Sequence, residues 1–179
     1  MATRGCLGGL APATLDMTML FDAAGFDTIL VETVGVGQDE VDIARLADVT
    51  AVLLVPGMGD DVQTLKAGIM EIADVFLINK ADLPGADRLE REIQAMLSLA
   101  ARRDGWNTPI VKTVARDGTG IPEALSAMRS FLVAAERKGR AAEIWSLRLR
   151  EMLRERLLER FDASEFDAAA HEVAERKKD

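Results

Sequence analysis

The feature that most constrains the fold is an alternation of short apolar runs with longer segments of helical periodicity. The apolar runs, each ending at a polar or Gly-rich turn, are Thr28–Glu32, Val49–Val55, Val75–Asn79 and Pro109–Thr113. Helical periodicity occurs at Ala13–Ala24, Gln38–Leu46, Asp61–Glu71, Asp87–Arg102 and Pro122–Ala135. Apolar strands that alternate with helices are typical of a parallel sheet covered by helices. We therefore predict an α/β fold with a mostly parallel sheet, whose functional groups gather at the carboxyl ends of the strands.

The chain changes character after residue 136. From Arg137 onward, basic and acidic side chains are mixed with apolar positions at helical spacing, as in Ala141–Arg160. That pattern is typical of an amphipathic helix. A length of 179 residues accommodates one domain plus an appendage. We therefore predict a domain over residues 1–136 and a helical arm over residues 137–179.

Composition excludes several classes of protein. The net charge of −8 comes mainly from the first domain, and an acidic body argues against non-specific nucleic-acid binding. Cys6 is the single cysteine, which excludes an internal disulfide and a cysteine-based metal cluster. Apolar runs stop short of the about 18 residues that span a membrane, and the first residues lack a signal-peptide pattern. We therefore expect no membrane association and a cytoplasmic location.

The tetrapeptide Asn79-Lys80-Ala81-Asp82, at the end of the third apolar run, has the chemistry to hold a guanine ring. Guanine presents two donors on one edge, N1–H and the 2-amino group, and the Asp82 carboxylate can accept both. Adenine has no amino group there and would leave a buried charge unpaired. Asn79 can bond the N7 edge and brace neighbouring loops, while the Lys80 stem lies along the base face. The alternative is an ordinary strand end followed by turn chemistry at Asp82–Gly85.

The fourth apolar run supplies a second wall for the same pocket. Its last residues lead into a Gly-rich turn and then into the helix that begins at Pro122. The Ala115 amide can donate to the guanine carbonyl. A strand, a turn and a helix are common by themselves, so this element is informative only because it follows the tetrapeptide. The candidate guanine-binding residues are Asn79, Lys80, Asp82, Thr113, Val114 and Ala115.

The segment DTILVETVGVGQ indicates the phosphate side of such a pocket. It reads as an apolar strand that ends in Glu32 and is followed by Gly35 and Gly37. A carboxylate at this strand end would orient Mg²⁺ or its water. The Gly35 amide would contact a terminal phosphate, because no side chain blocks the approach. From this segment alone, a strand and a Gly-rich loop that bind no ligand are an equally good interpretation.

Together these segments resemble the MeaB/ArgK family of P-loop GTPases, which includes the mitochondrial methylmalonic-aciduria type A protein. The resemblance lies in RGCLGGLAPAT, VETVGVGQDEVDIARLADVT, VPGMGDDVQTLKAGIMEIAD, NKAD and VARDGTGI, and it covers nearly the whole chain. It implies a partial GTPase domain over residues 1–136 that binds GTP or GDP with Mg²⁺. It assigns Glu32 to the metal, directly or through water, and Glu32, Gly35 and Gln38 to catalysis. Val36 stands where many GTPases carry a water-orienting Gln, and Gln38 is the nearby candidate for that role.

The resemblance also implies partners. Members of the family chaperone adenosylcobalamin-dependent methylmalonyl-CoA mutase, so that enzyme or a related cobalamin-dependent mutase is the expected partner. The Gly57–Lys66 segment is similar to an additional switch loop of the family, which implies coupling roles for Asp60, Gln63 and Lys66. From its residues alone, this segment is an acidic loop before a helix and reads equally as a turn and an N-cap. The family's C-terminal helices form a dimerisation arm, so we expect a homodimer.

The phosphate loop of the family is absent from this sequence. A Walker A motif, G-x-x-x-x-G-K-[ST], needs a lysine directly after a glycine, and no lysine here follows one. The chain therefore looks like the C-terminal part of a family member, and we expect negligible GTP hydrolysis by it alone. The alternative is a non-catalytic interaction module that binds a sister subunit or the mutase without nucleotide turnover.

Overall fold

The computed structural model describes residues 12–33, 47–57, 72–99, 105–137, 140–158 and 170–175. In chain order its elements are α1 (Pro12–Ala23), β1 (Ala51–Leu54), β2 (Val75–Ile78), α2 (Ala86–Leu99), β3 (Ile110–Lys112), α3 (Ile121–Arg137) and α4 (Arg140–Leu158). The strands form a parallel sheet in the order β1-β2-β3. The α/β fold with a parallel sheet is therefore confirmed.

β2 is the central strand, and its sequence VFLI is apolar on both faces of the sheet. Phe76 and Ile78 are fully buried in the core. α2 covers them with Ala86, Leu89 and Ile93, which lie on one face of the helix and belong to the same buried cluster. The core therefore sits between the middle of the sheet and the helix that follows β2.

Hydrogen bonds around the buried Asp74 hold the amino ends of the strands together. Its carboxylate accepts the Thr50 amide at 2.9 Å, just before β1 begins. Its carbonyl accepts the indole N–H of Trp106 at 2.9 Å, and that ring packs edge-on against Phe131 of α3 with centroids 5.1 Å apart. These contacts join the segments that lead into the three strands, and Phe131 ties the middle of α3 to the same anchor.

The strand predicted at Thr28–Glu32 is wrong. Residues 28–33 are coil after α1, and Leu30 is 91% exposed. Strand residues need a neighbouring strand to accept and donate their backbone hydrogen bonds. In the described part of the chain β1 pairs with β2 alone, so nothing forms a ladder with residues 28–32. An apolar run alone did not make a strand here.

The other predicted elements differ from the observed ones mainly at their ends. The remaining predicted strands correspond to β1, β2 and β3, and three of the predicted helices correspond to α1, α2 and α3. The predicted helices Gln38–Leu46 and Asp61–Glu71 lie outside the described residues.

The chain divides into two compact units, residues 1–141 and 142–179. Unit one contains the sheet and its helices, and unit two contains most of α4. The assignment of these segments as a partial GTPase domain and a dimerisation arm stays a prediction. Among the described helices, none has both the length and the apolar character needed to cross a membrane.

Candidate functional site

The tetrapeptide Asn79-Lys80-Ala81-Asp82 leaves the sheet directly after β2 and is fixed between the ends of the neighbouring strands. The Asn79 amide donates to the carbonyl of Leu54 in β1 at 2.8 Å. The Ala81 amide donates to the carbonyl of Thr113, just beyond β3, at 3.0 Å. These bonds extend the sheet pairing past the last strand residues, so the tetrapeptide starts from a defined position at the carboxyl edge.

The side chain of Asn79 joins the two predicted walls. Its Oδ1 accepts the Ala115 amide at 3.1 Å and the hydroxyl of the buried Thr113 at 3.3 Å. A single amide oxygen therefore connects the loop after β2 to the loop after β3. This is the loop-bracing contact expected from the sequence, and it brings Thr113 and Ala115 beside the tetrapeptide.

Lys80 adopts a left-handed backbone conformation, with φ at 53°. It is the single non-glycine residue with positive φ in the described ranges. For a residue with a Cβ this conformation costs about 1–2 kcal/mol, and such strain concentrates at functional sites. The Lys80 carbonyl accepts the Leu83 amide at 2.9 Å, which closes a turn after the strained residue. The turn directs the following Asp82 toward the second loop.

The second loop is a tight turn from Val114 to Gly120. The Val114 amide donates to the Thr119 carbonyl at 2.9 Å. The Val114 carbonyl accepts the amides of Asp117 and Gly118 at 3.2 and 3.1 Å. Gly120 has φ at 77°, and a Cβ there would collide with the backbone carbonyl of Lys112. Glycine is therefore required for this loop to fold back onto β3 and enter α3.

Lys112, the last residue of β3, ties that strand to α2. Its ammonium lies 2.6 Å from the Asp87 carboxylate and 2.7 Å from that of Glu90. Two hydrogen bonds raise the pKa of Lys112, and the bond to Asp87 has a larger influence than the bond to Glu90. In return, the hydrogen bond and charge of Lys112 lower the pKa of the Asp87 carboxyl. β3 is thus connected, outside the sheet, to the helix that follows β2.

Asp82, the predicted base-reading carboxylate, lies at the open side of the site. Its Oδ2 is 3.2 Å from Nη2 of Arg116, which follows Ala115 in the second loop. This ion pair crosses the gap between the loops. Neither Lys112 nor Arg116 was predicted as a site residue. Their positions give the signal in the sequence: Lys112 directly precedes Thr113, and Arg116 directly follows Ala115.

The residues predicted for the phosphate side are not brought together in the described ranges. Glu32 is exposed in the coil after α1. The predicted site residues outside the described ranges are Gly35, Gln38, Asp60, Gln63 and Lys66. Nor do the described residues include any group of three His, Cys, Asp or Glu side chains that could hold a metal ion. The structure therefore describes the residues predicted for the base side, and the binding roles on both sides stay predictions.

Comparison with known proteins decides the family. The family model described as "Methylmalonyl Co-A mutase-associated GTPase MeaB" matches residues 1–166. The chain belongs to the MeaB family. A putative GTPase of Pyrococcus abyssi is 50% identical over 157 residues, which are 86% of this chain and 48% of that relative. GTPase ArgK of Escherichia coli is 35% identical over 158 residues, which are 85% of this chain and 47% of that protein.

A mammalian relative and a crystal structure extend the comparison. The mitochondrial methylmalonic aciduria type A homolog of mouse is 40% identical over 133 residues, covering 72% of this chain and 32% of the relative. The crystal structure of an LAO/AO transport system kinase superposes with a TM-score of 0.68 at 31% identity, covering 81% of this chain and 47% of that one. The MeaB-family chain described here thus spans about half the length, or less, of these relatives.

Proposed function

We propose that this chain forms the guanine-recognition part of a GTPase of the MeaB/ArgK kind. The observation that carries the proposal is the brace from Asn79 Oδ1 to the Ala115 amide and the Thr113 hydroxyl. It joins two loops that a purely structural strand end would not need to connect. Between these loops a planar base has a carboxylate on one side and backbone donors on the other.

Each wall has a separate role in reading the base. The Asp82 carboxylate accepts the two N–H donors of guanine, an edge that adenine lacks. The Ala115 amide, which now donates to Asn79, shares its hydrogen with the guanine carbonyl. The strained turn at Lys80 sets the direction of the tetrapeptide, and the Lys80 stem covers the base face. Base selectivity follows from leaving Asp82 unpaired whenever the ligand lacks the two donors.

The phosphate side of the proposal rests on family membership. Glu32 would hold Mg²⁺ directly or through water, and a single carboxylate fits because Mg²⁺ in such sites takes its other ligands from water and phosphate oxygens. The ion supplies charge neutralisation at the terminal phosphates. The Gly35 amide would contact the terminal phosphate, and Gln38 would orient the attacking water.

The partner of the protein is proposed from the same membership. The family description names a methylmalonyl-CoA mutase-associated GTPase. We propose that the full protein loads and protects an adenosylcobalamin-dependent methylmalonyl-CoA mutase or a related mutase in the cytoplasm, as a homodimer. Asp60, Gln63 and Lys66 would couple nucleotide state to that partner.

A second candidate is a non-catalytic interaction module, and one observation favours it. Along α4, every fourth residue from position 145 to 157 is a large apolar side chain that is exposed: Trp145, Leu149, Leu153 and Leu157. Residues four apart lie on one side of a helix, so they form a continuous apolar stripe. Such a stripe suits binding to a sister subunit or to the mutase, and it needs no nucleotide.

Base-selective binding by variants of Asp82 tests the proposal. In Asp82→Asn the amide donates where xanthine offers a carbonyl. We therefore expect the preference to move from guanosine monophosphate to xanthosine monophosphate. Loss of the carboxylate should weaken guanine binding by about tenfold or more. Asp117→Asn, in the neighbouring turn, is the matched control and should keep the guanine preference. Competition binding measures both ratios. Unchanged selectivity in Asp82→Asn would remove Asp82 from the site and leave the interaction module as the better function.

A further inference from the structure

The base-reading carboxylate is already paired within the chain. Nη2 of Arg116 lies 3.2 Å from Oδ2 of Asp82, and the two residues come from opposite walls of the proposed site. The side chain of Arg116 is 76% exposed and that of Asp82 is 36% exposed. The arginine therefore reaches across the open side of the site, where it can leave without disturbing packed residues.

A guanidinium group presents the same chemistry as the guanine edge that Asp82 is proposed to read. Both are planar and carry adjacent N–H donors that match the two oxygens of a carboxylate. Guanine needs both oxygens of the carboxylate, and Arg116 contacts one of them, Oδ2, so the base pairs fully with Asp82 only once the arginine has left. The contact thus concerns the same atoms as base recognition and not a neighbouring surface.

We propose that Arg116 competes with the base for Asp82: it neutralises the carboxylate when no nucleotide is bound, and guanine must displace it. This inference rests on the proposed function. The competition lowers the affinity for every ligand that uses Asp82, because each must displace the same arginine, and it therefore also reduces the preference for such ligands over AMP. It also keeps the carboxylate from standing unpaired between binding events.

The strength of the pair makes displacement feasible. Exposed ion pairs contribute at most about 1 kcal/mol, since water and salt screen them and both side chains lose freedom. Competition of that size lowers the affinity of a base by up to about fivefold. Arg116 would therefore tune binding without abolishing it. An arginine that instead held the nucleotide would have the opposite effect when removed.

Nucleotide titrations of the full chain test the competition. We would compare wild type, Arg116→Ala and Arg116→Gln by titration with GMP, IMP and AMP, followed by protein NMR shifts. GMP presents both donors to Asp82 and IMP presents N1–H alone, whereas AMP presents neither. We expect both variants to bind GMP about two- to fivefold more tightly and IMP more tightly by no more than that factor, with AMP binding unchanged.

Arg88→Ala is the matched control. Arg88 pairs with Glu92 on α2 at 2.7 Å, and the exposures of that pair, 80% and 36%, are close to those of Arg116 and Asp82. The variant removes the same charge from the chain but frees no base-reading group. We expect it to bind GMP as wild type does.

Each other outcome overturns the inference in a recognisable way. Equal GMP affinity in wild type and both Arg116 variants, with GMP preferred over AMP, rejects the competition and leaves the guanine site standing. Weaker GMP binding in the variants means that Arg116 holds the nucleotide. Tighter binding in Arg88→Ala as well means a general charge effect. Absence of any GMP preference in all chains rejects the competition together with the proposed function.

Discussion

Two residues shape the loops of the candidate site through their backbone conformations. Lys80 holds a left-handed conformation at the end of β2, and Gly120 holds one where the second loop returns to β3. At Lys80 the conformation is tolerated with a side chain present. At Gly120 it is combined with a close approach to the carbonyl of Lys112, so a side chain has no space. The second loop therefore depends on one glycine more than on any hydrogen bond within it.

Gly120→Ala tests this dependence. The added methyl group meets both a left-handed backbone and the Lys112 carbonyl, so we expect a loss of about 3 kcal/mol in the free energy of unfolding. Gly118→Ala is the control, because Gly118 also has positive φ but has no atom within 4 Å of a built Cβ. It should cost only about 1 kcal/mol. Urea denaturation measures both. Equal losses in the two variants would show that the close approach is relieved at no cost.

At the element scale, Lys112 connects β3 to α2 through two carboxylates of that helix. The connection joins the strand before the second loop to the helix after the first loop. Both loops are thus held by their flanking elements as well as by Asn79. Because Asp87 is exposed and Lys112 and Glu90 are only half-buried, we regard these contacts as a positional link and not as a large source of stability.

The pH dependence of unfolding reports this link. Lys112 lowers the folded-state pKa of Asp87 below its ordinary value of 3.8. The resulting stabilisation is complete above pH 3.8 and is lost as the pH falls through the lowered pKa, because the unfolded state then takes up the proton first. In Lys112→Met we expect a lower urea midpoint at neutral pH and a smaller decrease on acidification.

Arg88→Met is the control for that experiment. It removes a cation from α2 that pairs with Glu92, and it leaves the Lys112–Asp87 contact in place. The acid-dependent decrease contributed by Asp87 should persist in this variant. If Lys112→Met and wild type lose stability in parallel below pH 3.8, Asp87 titrates without help from Lys112.

At the scale of the whole molecule, family membership and partial length act together. The chain belongs to a GTPase family, yet it matches 48% of the Pyrococcus relative and 47% of the solved kinase structure. Activity of the full protein is therefore a proposal, and base recognition is the part that the described residues bear on. The second unit adds an amphipathic helix whose apolar stripe is exposed.

We expect the chain to self-associate through that stripe on α4. Exposed apolar side chains at a spacing of four residues are stabilised when a second copy covers them. The double variant Leu149→Glu/Leu153→Glu should shift the protein toward monomer in sedimentation equilibrium. Arg154→Ala, an exposed position on the same helix outside the stripe, should leave the association unchanged. A double variant with the wild-type mass would show that the stripe does not form the contact.

Much of the fold was predictable because its causes are local. The run VFLI of β2 is apolar at every position. Side chains on both faces of a strand are buried only when the strand is central in its sheet, so the run favours a central strand. The helical periodicity of Asp87–Arg102, which includes Leu89 and Ile93, predicted the helix that covers it. Base recognition by the tetrapeptide after β2 was predicted from the chemistry of its side chains, and that role stays a prediction.

What tertiary structure alone decided depends on partners distant in the chain. Whether Thr28–Glu32 becomes a strand depends on a neighbour with free backbone groups, and in the described part of the chain it has none. The Lys112–Asp87 contact joins residues 25 apart, and the Arg116–Asp82 pair forms only because β2 and β3 end at the same edge. Residue types and spacing state which groups exist and what they can bind. Which of them meet is decided by the sheet, because hydrogen-bonded register places the ends of sequence-distant strands side by side.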